Sequence, residues 1–270
     1  MTRIYTLVNQ KGGVGKTTCA VNLCAYLGYY GQRVLLVDLD PQANATSSLG
    51  IDKRTVKNGT YEVLIGATGI NAHILHNPRF KLSILPSSPA LAGAEIELID
   101  LPQREQRLKN ALTPIAERYD YILIDCPPSL SLLTVNGLIA GSNGVIIPVQ
   151  CEYLALEGLS QLTQTINRVQ ASLLPDLKVR GVILTMYDSR TNLSVDVVNE
   201  VRKHFPNRVF QNLIPRSIRL AEAPSRGLPI SLYAPESPAA RAFAGLAREI
   251  LEQDGIHIPD LKAEGKPHDA

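Results

Sequence analysis

Residues 3–18 read Arg3-Ile4-Tyr5-Thr6-Leu7-Val8-Asn9-Gln10-Lys11-Gly12-Gly13-Val14-Gly15-Lys16-Thr17-Thr18. The run from Arg3 to Asn9 predicts a strand, and the stretch from Thr17 to Tyr30, stopped by Gly31, predicts a helix. Between them lies a glycine-rich loop. Glycine lets the backbone wrap closely around an anion and turn its N–H groups inward. The helix that follows puts its positive end at the same point. Lys16 is then placed to reach the β- and γ-phosphates of a nucleotide, and the Thr17 hydroxyl to join a Mg²⁺ shell. The candidate cradle is Lys11, Gly12, Gly13, Val14, Gly15, Lys16, Thr17 and Thr18. The ordinary phosphate-loop pattern would have Gly at position 10; here Gln10 stands there and a second lysine, Lys11, follows it.

Outward from the loop, short apolar runs alternate with longer helical patterns. Residues 33–38 (RVLLVD), 82–85, 121–125 (YILID), 144–149 (GVIIPV) and 179–185 (VRGVILT) predict further strands. Strands apolar on both faces belong to a parallel sheet covered by helices. The expected fold is therefore α/β: a doubly wound, mostly parallel sheet with helices on both faces. A long helix is expected over residues 152–173. Another opens at Ser237-Pro238, with Phe243, Leu246, Ala247, Ile250 and Leu251 on one face. No linker divides the chain, so residues 1–253 are expected to form one domain and residues 254–270 a loosely ordered tail.

Ligands of open α/β sheets bind beyond the carboxyl ends of the strands. Asp38 and Asp40 lie at one such end, in VDLDPQ, and Asp125 ends YILID before Cys126-Pro127-Pro128-Ser129. An apolar strand ending in Asp near a phosphate loop suits a carboxylate that faces Mg²⁺ through water.

Composition narrows the field. The 270 residues are 45% hydrophobic and 19% charged, which argues against a disordered chain. Trp is absent and aromatics are 5%, so an aromatic platform for single-stranded nucleic acid is not expected. No run has the roughly 18–20 apolar residues of a membrane span, and the first residues do not read as a signal peptide. The four cysteines form no CxxC pair, which points to a reducing, cytoplasmic setting. Net charge is +2, but residues 178–228 hold nine Lys/Arg and four Asp/Glu, a local +5 that leaves −3 elsewhere.

The sequence KGGVGKTT resembles the deviant Walker A motif of the ParA/MinD superfamily. VLLVDLDPQANATSSLG resembles that superfamily's switch I region, and DCPPS its switch II. Residues 148–159 (PVQCEYLALEGL) and 214–225 (IPRSIRLAEAPS) are similar to those of the ParA/Soj partition ATPases, and the likeness spans about residues 3–250. The resemblance implies ATP hydrolysis with Mg²⁺. It implies that Lys11 reaches the nucleotide of a partner subunit, so that ATP binding makes a homodimer. Asp40 is implied as the residue that activates water, making Asp40, Lys11 and Lys16 the catalytic set. Thr17 and, through water, Asp125 are the metal residues, with Asp38 possible behind them. Met186, Pro215 and Arg216 are implied near the nucleotide base. Relatives of this short type start without a helix-turn-helix domain and bind double-stranded DNA nonspecifically. The implied DNA contacts are Arg190, Arg216 and Arg219, and the implied partner is a ParB/Spo0J-like centromere-binding protein, with no membrane partner. The implied location is the cytoplasm, on the nucleoid. A MinD-like division-site switch would need a basic membrane helix at the end, whereas residues 252–270 hold five Asp/Glu and two Lys. A nitrogenase-reductase-like protein would need paired cluster cysteines. A metabolic ATP-dependent enzyme of the superfamily would need a substrate pocket that no motif here marks.

Overall fold

In the computed structural model, residues 1–152, 163–164, 166–171 and 174–258 are described. The strands are β1 (Arg3–Leu7), β2 (Val34–Asp38), β3 (Leu75–Asn77), β4 (Leu82–Leu85), β5 (Tyr121–Asp125), β6 (Val145–Gln150) and β7 (Val179–Thr185). They make one sheet in the order β3-β4-β2-β5-β1-β6-β7, parallel throughout except for the antiparallel β3–β4 pair.

The unbroken apolar runs follow from burial on both sides. In β2, Val34 and Leu36 join one core cluster while Leu35 and Val37 join another. In β5, Tyr121 and Leu123 face the first cluster and Ile122 and Ile124 the second. Side chains alternate across a strand, so both faces need helical cover. Helices α1 (Lys16–Tyr29) and α7 (Pro238–Gln253) cover the first face; α3 (Leu132–Ala140) contributes Leu133 and Ala140 to the second. Each fully buried Leu or Phe in these layers contributes about 1.5–3 kcal/mol. Four further helices complete the parts used below: α2 (Asn44–Ser48), α4 (Asn192–His204), α5 (Ile218–Glu222) and α6 (Ile230–Tyr233).

Helix α7 starts as its sequence predicts: the Ser237 hydroxyl accepts from the Ala240 N–H at 3.1 Å and Pro238 takes the first turn. The ordered body runs past the boundary expected at residue 253. The Asp254 carboxylate accepts hydrogen bonds from the hydroxyls of Tyr5 and Tyr121, each at 2.8 Å, and pairs with Arg180 at 3.0 Å and Arg3 at 3.4 Å. Ile256 and Ile258 pack on the first cluster. The tail expected from residue 254 therefore begins with residues fastened to the strand starts, and residues 259–270 lie outside the described residues. The long helix expected over 152–173 also lies largely outside them. Strand β3 was not expected: its three residues are short, polar-rich and largely exposed, so no apolar pattern announces it.

Candidate functional site

The loop between β1 and α1 is shaped by two glycines in the left-handed region, Gly13 (φ 77°) and Gly15 (φ 87°), a conformation that L side chains rarely adopt. Asn9 braces it. Its side-chain amide donates to the Pro148 carbonyl at 2.8 Å, and its Oδ1 accepts from the Lys11 N–H at 3.0 Å. Lys16 is buried, and its ammonium donates back to the Lys11 carbonyl at 3.3 Å. Burial lowers the Lys16 pKa, opposed by the charges of Asp125 and Asp40. The Lys11 ammonium pairs instead with the Glu152 carboxylate. Thr185 closes the loop from β7, its hydroxyl donating to the Val14 carbonyl at 2.8 Å.

Asp125 and Asp40 lie near enough to act on Lys16, and Asp38 stands opposite Asp125 because β2 and β5 end side by side in register. Both are fully buried. Neither Asp125 oxygen has a hydrogen-bond partner; the Thr17 side chain approaches and favours the charged form without a bond of ordinary geometry. Burial, then the neighbouring Asp38 charge, raise the Asp125 pKa well above the usual carboxylate range. Asp38 is satisfied: its Oδ2 accepts from the Thr46 N–H at 2.8 Å and hydroxyl at 2.6 Å, and burial still raises its pKa to about 6. Asp40 is buried, its Oδ1 accepts from the Gln42 N–H at 2.8 Å, and its carbonyl accepts from the Ser87 hydroxyl at 2.8 Å. Among the described residues no three His, Cys, Asp or Glu side chains converge into a metal cage. A cation here would take most of its ligands from water and substrate oxygens, which suits Mg²⁺. The buried Asp125 carboxylate without a partner and the adjacent Thr17 hydroxyl fit that ion.

Beside the loop opens a cavity of about 270 Å³, lined by Gly15, Thr18, Met186, Pro215, Arg216 and Phe243 among others. The Arg216 N–H donates to the Tyr187 carbonyl at 3.0 Å, which fastens the 214–216 segment to the end of β7. Met186 sits at φ 53°, a strained conformation for a side-chain-bearing residue and one that tends to occur at ligand sites. Met186, Pro215 and Arg216, which the resemblance implied near the base, thus line one cavity.

The other two arginines lie on the surface. Arg190 forms a fork with Asp188 at 2.7 and 2.9 Å, and Arg219 pairs with Glu222 at 2.9 Å. The Asp188 pKa falls below the ordinary carboxylate value, chiefly through Arg190 and to a smaller extent through Arg216, which places all three side chains in one electrostatic neighbourhood. Arg190 is 85% exposed and Arg219 61%. Exposed pairs of this kind are worth about 0–1 kcal/mol, so both guanidiniums can exchange partners. Thr46, Ser87 and Thr185 were missed by sequence reading. The signal for Thr185 is a polar residue ending an apolar strand; Thr46 and Ser87 carry none.

A family model described as an AAA domain matches residues 2–179. The chain is 53% identical to the sporulation initiation inhibitor protein Soj of Bacillus subtilis, over 93% of this chain and 98% of that one. It is 51% identical to the chromosome partitioning protein ParA of Myxococcus xanthus, over 95% and 90%. Among solved structures it is similar to cobyrinic acid a,c-diamide synthase from Mycobacterium smegmatis with bound ADP and magnesium. That match has 39% identity and a TM-score of 0.82, covering 96% of this chain and 98% of that one.

Proposed function

The chain belongs to the ParA/Soj family of chromosome-partitioning proteins, and on that premise we propose that it is an ATPase whose nucleotide state switches nonspecific DNA binding on and off. The observation that carries this reading is the Asp125 carboxylate, buried and without a hydrogen-bond partner beside Thr17 and opposite Asp38. A charge held this way is costly unless a cation joins it.

The loop N–H groups and Lys16 hold the phosphates, and Met186, Pro215 and Arg216 line the space for the base. Thr17 and, through water, Asp125 would hold Mg²⁺, which would supply positive charge beside the phosphates. Asp38 stands behind and fixes the Asp40 loop through Thr46. Asp40 orients the attacking water. Phosphoryl transfer asks a protein mainly for such positioning and charge. Lys11 completes the cation set from a second subunit. Its bond to Glu152, with each side chain about one-third exposed, gives way when two chains close over two nucleotides. Dimerisation doubles the patch of Arg190, Arg216 and Arg219, so phosphate contacts add and DNA binding becomes ATP-dependent. A ParB/Spo0J-like partner accelerates the slow hydrolysis that releases DNA from the dimer on the nucleoid.

The test is retention on a random duplex with ATP, ADP or no nucleotide across a salt series. Retention with ATP alone, falling steeply with salt and lost in Arg219→Glu, is expected. Equal retention in all three nucleotide conditions contradicts the switch. Binding to anionic vesicles in place of DNA favours a division-site role. The synthase likeness is weaker in identity than the likeness to the partition proteins.

A further inference from the structure

The far end of α1 builds a second concave site. Helix α1 spans 14 residues, about 20 Å at 1.5 Å per residue, so its last turn lies that far from the phosphate loop. There Tyr26, Tyr29 and Tyr30 line a groove of about 530 Å³ that shares no residue with the nucleotide cavity. Its charged lining is Arg79, Lys81, Arg241 and Arg248 against Glu236, four cations and one acid, a net +3.

The groove is built before any partner arrives. Tyr29 meets Tyr26 and Tyr30 edge-on, with ring centroids 6.2 and 5.5 Å apart. The Arg248 guanidinium lies over the Tyr30 ring at 5.9 Å, and the Tyr30 hydroxyl donates to the Ala244 carbonyl at 3.2 Å. Arg241 is braced through the Glu236 carbonyl at 2.6 Å. The turn carrying Arg79 and Lys81 is seated against α1 at Gly28, where a Cβ would stand 2.5 Å from the Lys81 carbonyl oxygen. Despite this bracing the tips face solvent: Tyr29 is 56% exposed, and Arg79, Lys81 and Arg241 are exposed as well.

We propose that this groove is a docking site for an acidic, aromatic-bearing peptide segment of a partner protein. Tyrosine and arginine are the side chains that dominate interface energy, and a preformed wall lowers the ordering cost of binding. The excess of cations selects carboxylates, and the exposed Tyr29 ring, backed by buried Tyr26, takes an aromatic ring or stem. Buried Phe80 and Ala240 form the groove's apolar floor. A duplex keeps its bases stacked and offers phosphates without a free ring for Tyr29.

The test uses the full chain without nucleotide and a fluorescein-labelled peptide (EEYE)₃, with (QQYQ)₃ as its uncharged counterpart, read by anisotropy. The expected result is saturable binding of the acidic peptide, about tenfold weaker for the uncharged one. Arg241→Glu is expected to weaken binding about tenfold and Tyr29→Ala about fivefold, while Arg241→Glu leaves ATP turnover unchanged. Lys16→Ala should bind the peptide as the parent does, so a failure of the nucleotide reading leaves this result intact. Equal affinity for the two peptides, or indifference to both groove variants, overturns the proposal. Displacement of the peptide by a random 20-base-pair duplex at matched charge also overturns it, in favour of a nucleic-acid surface.

Discussion

Replacing Asp125 by Asn separates what the site does for ligands from what it does for the fold. In the ligand-free protein both Asp125 oxygens are buried without a partner, next to the buried Asp38. A buried polar group left unsatisfied costs about 1–3 kcal/mol, more when charged. Asparagine keeps the shape and removes the ionisable group whose charge burial and Asp38 disfavour. If it relieves about 1 kcal/mol, the ligand-free unfolding midpoint should rise by roughly 2–4 °C at chain lengths of this order. The same substitution removes the anion that holds Mg²⁺ through water. For the parent protein, ATP·Mg²⁺ at a hundredfold excess over its Kd adds about 2.7 kcal/mol, or roughly 5–10 °C. Asp125→Asn should lose the Mg²⁺-dependent part of that rise. The assay is thermal unfolding with no ligand, with ATP and EDTA, and with ATP·Mg²⁺. A ligand-free midpoint that falls by several degrees, or a full Mg²⁺-dependent rise in the variant, would refute the reasoning.

Two further predictions concern Asp254 and the buried tyrosines. Asp254→Ala removes one acceptor from two tyrosine hydroxyls and one partner from two arginines. The pairs are partly buried, so the loss lies between about 0–1 kcal/mol for an exposed pair and about 3–5 kcal/mol for a buried one, and thermal unfolding should drop by roughly 5 °C; a drop under about 2 °C would show that the cluster is not holding α7 to the sheet. Burial raises Tyr5 and Tyr26 to about 12, and Tyr121 further. Their folded values exceed the unfolded value of about 10, so the stability they contribute is complete below pH 10 and is lost as pH rises from 10 through 12. Absorbance at 295 nm of the folded chain at pH 11 should show these three of the ten tyrosines lagging; a single step near pH 10 for all ten would contradict the burial argument.

Much of the sheet was legible because β2, β5, β6 and β7 bury both faces and so read as continuous apolar runs. The phosphate loop was legible because a glycine cluster between a strand and a helix has few other uses. The β2 and β5 carboxylates were legible as strand-end acids, though their registry, which makes Asp125 so costly, required the sheet. The grip of Thr46 and Ser87 on the Asp38–Asp40 turn was not legible, because hydroxyls far apart in sequence meet there only after folding. Asp254 read as the start of a polar tail for the same reason: its partners are residues 3, 5, 121 and 180.

The reading depends most on two chains closing over two triphosphates, and the direct measurement is the mass of Asp40→Ala by light scattering with ATP·Mg²⁺, with ADP·Mg²⁺ and with neither. The account predicts twice the single-chain mass with ATP·Mg²⁺ and a single chain otherwise. A single-chain mass at saturating ATP·Mg²⁺ would contradict it.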